Sequence, residues 1–206
     1  MKTLLEPLKI PVTDHQAAQL VMYADMLRDA TGRINLIAPS TVPEIATRHI
    51  LDSAQLAPLL PTQPQNIIDV GSGAGLPSIV LAILCPQHTF VSAEKVGKKA
   101  TFQQTVVDAL ELPNITIWPK QVSEVKETFD VITCRAWASV DVILRTTKPL
   151  LKRKGCWWLL KGEALEDEIQ ASLLARQMTI TRHRSITHPQ GVLVQLQSVP
   201  RGTHTD

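Results

Sequence analysis

The sequence contains one stretch whose residue types and spacing suit the binding of a nucleotide-like ligand. Residues 69–77 read Asp-Val-Gly-Ser-Gly-Ala-Gly-Leu-Pro and begin at the end of the apolar run Asn66–Val70. Gly71, Gly73 and Gly75 lack a Cβ atom, so the backbone there can turn tightly and approach a ligand closely. A glycine loop between a strand and a helix is typical of nucleotide-binding α/β proteins.

Glu94 is the second part of this predicted site. It lies twenty-three residues after Gly71, at the end of a second predicted strand. Ligands of open α/β sheets bind at the carboxyl ends of the strands, where an acidic side chain can bind both ribose hydroxyls. The pattern D-x-G-x-G-x-G, with Leu76 in place of the third glycine of G-x-G-x-x-G, favours S-adenosylmethionine (SAM) over a dinucleotide. If no ligand binds here, the loop only joins a strand to a helix and Glu94 is a surface carboxylate.

A nicotinamide-dependent oxidoreductase is an alternative interpretation of the same loop. Leu76 replaces the third glycine of that class, and the only tyrosine, Tyr23, falls in a predicted N-terminal helix rather than in a catalytic Tyr/Lys pair. The sequence also lacks a G-x-x-x-x-G-K-[ST] phosphate loop. These features favour SAM as the ligand.

The remaining elements must position the loop and Glu94 at one edge of a sheet. From residue 66, short apolar runs alternate with helical segments, which predicts an α/β Rossmann-like fold with a mostly parallel sheet. The predicted strands are Asn66–Val70, Thr89–Ala93, Ile115–Trp118, 129–134 and 156–160, followed by a C-terminal antiparallel hairpin of 178–186 and 191–199. Helices are predicted at 78–85, 98–110, 139–147 with Ser139 as the cap, and 163–176. Residues 154–155 are predicted to form a turn, and Trp157 and Trp158 to place one ring in the core and one at the surface.

The N-terminal third is predicted to be helical. Thr13 and Gln16 fit a capping box, and the apolar stripe that follows ends at Gly32. A second helix is predicted from residue 41 to about residue 57. Both precede the glycine loop, so they form an extension to the α/β core.

Length and composition favour a single globular unit. The 206 residues are 44% hydrophobic and 19% charged, which excludes a disordered or fibrous protein. We expect a helical N-terminal extension at 1–62, a SAM-binding domain at 63–200 and a flexible tail at 201–206.

The longest apolar run, residues 79–85, is too short to span a bilayer. Three cysteines without a C-x-x-C pair favour reduced thiols, a cytoplasmic location and no metal site.

Several blocks of sequence together resemble one family. They are Asn-Leu at 35–36, Arg-His-Ile-Leu-Asp-Ser at 48–53, the glycine loop at 69–77, Gly-Lys-Lys at 97–99, Arg-Ala-Trp-Ala-Ser at 135–139 and Leu-Lys-Gly at 160–162. The chain is similar, over about residues 13–168, to the bacterial small-subunit rRNA guanine-N7 methyltransferases (RsmG, formerly GidB). The block at 48–53 and the Gly-Leu-Pro after the loop are not general methyltransferase features, so the resemblance is specific.

The resemblance implies a SAM-dependent transfer of a methyl group to N7 of the guanosine at position 527 of 16S rRNA. It implies cofactor contacts by Gly71, Leu76, Val122, Ser123 and Arg135, in addition to the other loop glycines and Glu94. The chain departs from the family where Glu94 replaces an aspartate and where Ser123 replaces a carboxylate that Glu124 could supply. It also departs in the last strand, which lacks the family's Arg-His lead-in and reads Gln-Gly-Val at 190–192.

The implied partner is 16S rRNA or a precursor of the small ribosomal subunit, bound by a monomer and without a membrane. Net charge is only +2, so a nucleic-acid partner is not evident from charge alone. Arg48 and His49 are candidates for RNA contact within the second helix. Lys152, Arg153 and Lys154 form a basic rim on the predicted turn that could contact phosphates, although such runs are often only solvated.

Methylation at guanine N7 does not require a side chain that removes a proton from the acceptor. Guanine N7 has a free lone pair, so orientation and electrostatics matter more than a general base. No catalytic residue is therefore predicted, except that Arg135 could donate to guanine O6 beside N7. Cys134, at a strand end, is interpreted as a buried thiol rather than a nucleophile. A non-catalytic rRNA-binding module that senses SAM remains an alternative, because N7 chemistry leaves no obligatory residue to look for.

Overall fold

Seven strands form the centre of the computed structural model, which describes residues 1–199. They are β1 (Asn66–Val70), β2 (Thr89–Ala93), β3 (Ile115–Trp118), β4 (Phe129–Arg135), β5 (Leu151–Lys161), β6 (Met178–Arg184) and β7 (Val192–Ser198). All seven belong to one sheet in the order β3-β2-β1-β4-β5-β7-β6. The predicted mostly parallel sheet with a C-terminal hairpin is confirmed, and only β7 runs against its neighbours.

The strand order reverses between β1 and β4. β1 pairs in parallel with β2 on one side and with β4 on the other. Connections leave these strands in opposite directions, which opens a crevice at their carboxyl ends. The glycine loop follows β1 at this point, as the spacing predicts.

Helices cover both faces of the sheet. The α-helices are α1 (Lys2–Leu5), α2 (Asp14–Thr31), α3 (Asp52–Ala54), α4 (Ser78–Leu84), α5 (Gly97–Ala109), α6 (Val140–Thr147) and α7 (Leu165–Ala171). Short 3-10 turns occupy Glu6–Leu8, Pro39–Glu44, Ala57–Leu59, Val122–Glu124, Lys148–Leu150 and Ala175–Gln177. The capping box predicted for α2 is confirmed, with Thr13 Oγ1 accepting from the Gln16 amide at 3.1 Å.

The predicted second helix is not a regular α-helix. The chain forms a 3-10 segment at Pro39–Glu44, a π-helical segment at Ala46–Leu51 and only then α3. Pro43 within the first segment has no amide hydrogen, so it cannot donate to the bond ladder of an α-helix. The wider π turn is typical of functional sites, and this one contains His49.

The predicted turn at 154–155 is wrong, because these residues lie within β5. A Cβ atom on Gly155 would lie 2.7 Å from the carbonyl oxygen of Asp130 in β4. This glycine therefore marks a close approach of two strand backbones at a register irregularity, not a turn.

Two helix predictions also change. The helix predicted at 163–176 divides into α7 and the 3-10 turn Ala175–Gln177, because Ser172 Oγ accepts from the Ala175 amide at 3.2 Å and begins a new turn. Ser139 precedes α6 as predicted but makes no side-chain cap; Glu168 Oε2 accepts from the Val140 amide instead, at 2.7 Å. The predicted tail at 201–206 lies outside the described residues.

Both faces of the sheet carry an apolar core. Consecutive residues of β1 point to opposite faces of the sheet. Ile67 packs with α2, α4 and α5, and Ile68 packs with α6 and α7. Trp157 and Trp158 are both buried, on opposite faces, so the prediction of one surface ring is wrong. A strand covered on both sides buries consecutive side chains.

The N-terminal segment shares the first of these cores. Leu20, Tyr23 and Leu27 of α2 are fully buried in the cluster that contains Ile67 and Leu81. Among the described helices, none combines the length and apolar character that a membrane crossing needs.

Candidate cofactor and substrate site

The three glycines of the loop all adopt a positive φ, of 67° at Gly71, 60° at Gly73 and 94° at Gly75. A Cβ atom on Gly71 would lie 2.3 Å from the ring of Trp137, and one on Gly75 would lie 2.4 Å from Ile79. A Cβ atom on Gly73 would meet nothing within 4 Å. Gly71 and Gly75 therefore admit neighbouring side chains, whereas Gly73 leaves open space.

Glu94 holds the glycine loop from the end of β2. Its Oε2 accepts from the Gly73 amide at 2.9 Å, and its Oε1 accepts from the Val96 amide at 2.7 Å. The side chain is buried but lines the cavity beside the loop. Each carboxylate oxygen can accept a second hydrogen bond, so the capacity to bind hydroxyl groups remains.

Gln103 is a second support that the sequence interpretation missed. Its side-chain nitrogen donates to Ser72 Oγ at 2.9 Å and to the Gly73 carbonyl at 2.8 Å, and its oxygen accepts from Ser92 Oγ at 2.7 Å. The residue is fully buried on α5. A glutamine beside Phe102 on the apolar face of a predicted helix is the signal that could have revealed it.

Asp69 joins the start of α4 to the strands. Its carboxylate accepts from the Ser78 amide at 3.1 Å and from Thr133 Oγ1 at 3.2 Å. Burial raises the pKa of Asp69 to about 6, although both hydrogen bonds favour the charged form. The acidic residue of the D-x-G-x-G-x-G pattern thus supports the loop from beneath.

Tyr23 connects the N-terminal segment to the same loop. Its hydroxyl group donates to the carbonyl oxygen of Ala74 at 2.8 Å, and the side chain is fully buried. Burial raises the pKa of this phenol above its ordinary value, so the group remains a neutral donor. The helical extension therefore contributes directly to the geometry of the site.

A cavity of about 460 Å³ opens beside the loop. Its volume lies within the range of roughly 300–1,000 Å³ that small-ligand sites occupy. Six of the eight predicted cofactor residues line it, namely Gly71, Gly73, Leu76, Glu94, Val122 and Arg135. Gly75 is turned toward α4, and Ser123 lies in the adjacent 3-10 turn without lining the cavity. The open side of Gly73 and the Glu94 carboxylate fit a nucleoside-containing cofactor.

Arg135 is anchored in a network at the end of β4. Its Nε lies 2.9 Å from Asp52 Oδ2, and its Nη2 donates to the carbonyl oxygen of Arg48 at 2.8 Å. Nη2 also lies 3.2 Å from His49 Nδ1. Since the guanidinium can only donate, Nδ1 is the acceptor and His49 Nε2 carries the proton.

His49 is buried rather than exposed to solvent. Its Nε2 lies 2.8 Å from Thr41 Oγ1, so both ring nitrogens have partners. Burial, with the charges of Arg135 and Arg48, lowers the pKa of His49 to about 4. The imidazole is neutral near pH 7 and positions Arg135.

A second cavity, of about 580 Å³, adjoins the first. The two share Arg135, Ala136 and Trp137 as a common wall. Arg48 and Asp52 line the second cavity, as does the ion pair of Lys161 with Glu168 at 2.7 Å. The far wall is the turn between β6 and β7, which includes Ser185, Thr187 and His188.

The predicted basic rim lies away from both cavities. Lys152, Arg153 and Lys154 occupy the amino end of β5, whereas Lys161 at its carboxyl end lines the second cavity. At about 3.3 Å per residue, this separation is roughly 25 Å. Lys152 pairs with Asp130 at 2.9 Å, while Arg153 and Lys154 are exposed.

The three cysteines are buried. Burial raises the pKa of the Cys134 thiol to about 12, so a thiolate nucleophile is not available near neutral pH. Within residues 1–199, no group of three or more His, Cys, Asp or Glu side chains is placed to hold a metal ion.

Comparisons with known proteins agree with this architecture. The profile of the GidB family, described as rRNA small subunit methyltransferase G, matches residues 16–195. The ribosomal RNA small subunit methyltransferase G of Paramagnetospirillum magneticum is 37% identical over 196 residues, which cover 94% of each chain.

Solved structures share the fold at much lower identity. A SAM-dependent O-methyltransferase from Thermotoga maritima matches with a TM-score of 0.60 and 17% identity, over 87% of this chain and 72% of that one. Aeropyrum pernix fibrillarin with natively bound SAM matches with a TM-score of 0.58 and 16% identity, over 73% and 75%. The fold is therefore that of SAM-dependent methyltransferases, and the sequence matches along nearly the whole chain show that it belongs to the rRNA small subunit methyltransferase G family.

Proposed function

We propose that this protein transfers the methyl group of SAM to N7 of the guanosine at position 527 of 16S rRNA. The observation that carries the proposal is the pair of adjoining cavities with a common wall at Arg135, Ala136 and Trp137. The first cavity contains the glycine loop and Glu94. The second is open to a base presented from outside, so donor and acceptor would meet at the shared wall.

Bound SAM supplies an electrophilic methyl group on a sulfonium sulfur. The protein's task is to bind and orient both reactants. Gly73 leaves room for close backbone approach, and Glu94 presents carboxylate oxygens to ribose hydroxyls. Gln103 and Tyr23 keep the loop in this arrangement through its Gly73 and Ala74 carbonyls.

The titratable groups near the shared wall agree with an acceptor that needs no deprotonation. His49 is neutral, and both of its ring nitrogens have partners. Cys134 remains a thiol because burial raises its pKa to about 12. Neither side chain is arranged as a base or a nucleophile, which fits attack by the existing lone pair of N7.

The polar groups of the second cavity match the edges of guanine. Arg135 and Lys161 are donors suited to the O6 acceptor, and Asp52 and Glu168, with which they form ion pairs, are acceptors suited to the N1–H and N2–H donors through their remaining lone pairs. Arg135 is the donor nearest the first cavity, since it lines both. Adenine has a donor at N6 and an acceptor at N1, the reverse of guanine O6 and N1–H, and it lacks the N2–H donors.

The test uses two 16S rRNA substrates that differ at position 527, one with guanosine and one with 7-deazaguanosine. We expect methyl transfer from labelled SAM to the first and none to the second, because the second lacks the N7 nucleophile. Equal transfer to both would overturn the N7 assignment. SAM binding without transfer to any rRNA or small-subunit precursor would favour the non-catalytic, SAM-sensing alternative.

The rRNA substrate would place the protein in the cytoplasm with precursors of the small ribosomal subunit. Action as a monomer remains part of the proposal, and sedimentation of the purified protein tests it. Family membership disfavours the nicotinamide-dependent alternative, and calorimetry with NADH in place of SAM should give no binding signal.

A further inference from the structure

Three lysines surround the mouth of the first cavity. Lys95 follows β2, Lys120 follows β3, and Lys99 lies in the first turn of α5; all three line the cavity. Ala93 and Trp118 are paired in the register of β2 and β3. Lys95 and Lys120 each lie two residues beyond this pair, which brings sequence-distant charges together at the carboxyl edge of the sheet.

These charges are available to a partner. Lys95 and Lys120 are exposed, and Lys99 is half-buried. Within residues 1–199, none of the three forms an ion pair, whereas Lys152 and Lys161 each have a carboxylate partner. The Lys120 ammonium lies 5.6 Å from the centre of the Trp118 ring, a contact that leaves its N–H donors free.

The cofactor does not explain these lysines. SAM has a positive sulfonium, a positive ammonium and one carboxylate, so its net charge is positive. Three ammonium groups around its cavity would oppose its binding, unless a polyanion covers the same mouth. Glu94 is the carboxylate among the described residues that line this cavity, and it already accepts from two backbone amides.

We infer that Lys95, Lys99 and Lys120 bind the phosphate groups of the RNA strand that flanks the target guanosine. The inference rests on the proposed function. It places the phosphate contacts beside the cavities, whereas the sequence prediction places them at Lys152, Arg153 and Lys154. The phosphates on either side of a nucleotide are joined to its base through the ribose, so they must lie on the same side of the molecule as the cavities, where Lys95, Lys99 and Lys120 are and Lys152–Lys154 are not.

The experiment compares two variants that each remove two exposed positive charges. One is Lys95→Gln/Lys120→Gln, and the matched control is Arg153→Gln/Lys154→Gln. The affinity for a single-stranded 16S rRNA fragment is measured at several salt concentrations. For the first variant we expect the slope of log affinity against log salt to become shallower by about 1.4, which is about 0.7 for each lost phosphate contact.

The control variant should keep the wild-type slope, and Lys95→Arg/Lys120→Arg should keep it as well because the charges remain. An unchanged slope for Lys95→Gln/Lys120→Gln would overturn the inference. A shallower slope for the control alone would favour the rim at Lys152, Arg153 and Lys154 instead.

Failure of this inference differs from failure of the proposed function. SAM affinity, measured without RNA by calorimetry, should be higher for Lys95→Gln/Lys120→Gln, because two charges that oppose the positively charged cofactor are removed. If the proposed function fails, the wild-type protein itself transfers no methyl group to guanosine-containing rRNA. If only the inference fails, the wild type methylates the RNA and the lysine variant binds it with the wild-type salt dependence.

Discussion

Gly73 is the loop residue whose missing side chain leaves space at the cavity. Its φ of 60° is a conformation that L residues rarely adopt, and its amide is held by Glu94 at 2.9 Å. Gly71 and Gly75, in contrast, make room for Trp137 and Ile79. Gly73 thus leaves room for a ligand, whereas the other two glycines allow side chains of the protein to pack against the loop.

Gly73→Ala should therefore reduce SAM affinity at least tenfold, because the new methyl group occupies the open space and the positive φ strains the loop by about 1–2 kcal/mol. Calorimetric titration with SAM measures the change. Gly32→Ala is the matched control. A Cβ atom at Gly32 also meets nothing within 4 Å, and Gly32 lies at the end of α2 rather than in the glycine loop. SAM affinity within twofold of wild type would contradict the proposed role of Gly73.

His49 should make stability depend on pH. Its pKa is about 4 in the folded protein and 6.5 in an unfolded chain, so only the unfolded state binds the proton between these values. Stability from this group is complete above about pH 6.5 and falls as the pH decreases toward 4. The total loss is on the order of 3 kcal/mol.

His49→Asn tests this prediction because the amide oxygen can still accept from Arg135 but does not titrate. Urea unfolding of both proteins at pH 7, 6, 5 and 4 gives the difference in free energy of unfolding. We expect wild type to lose stability relative to the variant across this range. A constant difference would show that His49 titrates normally.

Helix α2 acts as a brace for the glycine loop. Tyr23 donates to the Ala74 carbonyl, and Gln16 and Gln19 donate to the carbonyl oxygens of Ile83 and Leu110 at 2.8 Å each. These contacts join α2 to the loop, to α4 and to the end of α5. The extension therefore positions the cofactor site rather than only covering the core.

Tyr23→Phe should lower both stability and SAM affinity. The phenyl ring preserves the packing, but the buried Ala74 carbonyl loses its donor, which costs about 1–3 kcal/mol. Thermal unfolding and SAM titration are the two measurements. A lower melting temperature with unchanged SAM affinity would contradict the claim that α2 positions the loop for SAM.

The segment around α3 holds the turn between β6 and β7 against the second cavity. The Gln55 side-chain oxygen accepts from the Ile186 amide at 2.6 Å, and its nitrogen donates to Ser185 and Thr187. Thr187 Oγ1 also donates to Asp52 at 2.6 Å. Asp52 thus links this turn to Arg135.

Gln55→Ala should raise the KM for rRNA and leave SAM affinity unchanged, because the turn lines only the second cavity. Loss of the hydrogen bonds from Gln55 to the turn should also lower the free energy of unfolding, by about 0.5–1.5 kcal/mol for each bond. Steady-state methylation with varied RNA measures the first effect. Gln65→Ala is the control, since within residues 1–199 the Gln65 side chain donates only to the carbonyl oxygens of its neighbours Gln63 and Pro64. A raised KM for SAM instead would assign Gln55 to the first cavity.

The molecule is built around two cores on opposite faces of one sheet. The first contains both α2 and the helices of the α/β region, so residues 1–62 and the remainder share buried surface. The division at residue 62 remains a prediction about chain organisation, and it does not coincide with a boundary in the first core.

Deletion of residues 1–31 should consequently prevent stable folding. Leu20, Tyr23 and Leu27 are fully buried, and each contributes about 1.5–3 kcal/mol through burial. Their combined contribution is comparable with the total stability of a typical domain, about 5–15 kcal/mol. Circular dichroism and thermal unfolding of the truncated protein test this. A cooperative transition near the wild-type temperature would show that residues 32–206 fold independently.

Residues close together in the sequence were sufficient to predict the first cavity. The glycine loop, the acidic residue at the end of β2 and the alternation of strands and helices are short-range patterns. A loop that requires positive φ at three positions favours glycine at each of them, because glycine adopts such φ at no steric cost. The glycines can therefore be recognised in the sequence. The fold class and the predicted site around Gly71, Gly73 and Glu94 followed from these patterns, whereas the family followed from the loop together with the blocks at 35–36, 48–53, 97–99, 135–139 and 160–162.

Contacts between distant parts of the chain were decided only by the tertiary structure. Arg135 meets Asp52 and His49, more than eighty residues earlier, and Tyr23 meets Ala74 across fifty-one residues. No sequence period encodes such pairs, because strand order and helix packing bring them together. The same reason explains Lys120 beside Lys95, and the distance of Lys152 from the site: which edge of a sheet a charge occupies depends on strand direction and register, not on its sequence neighbours.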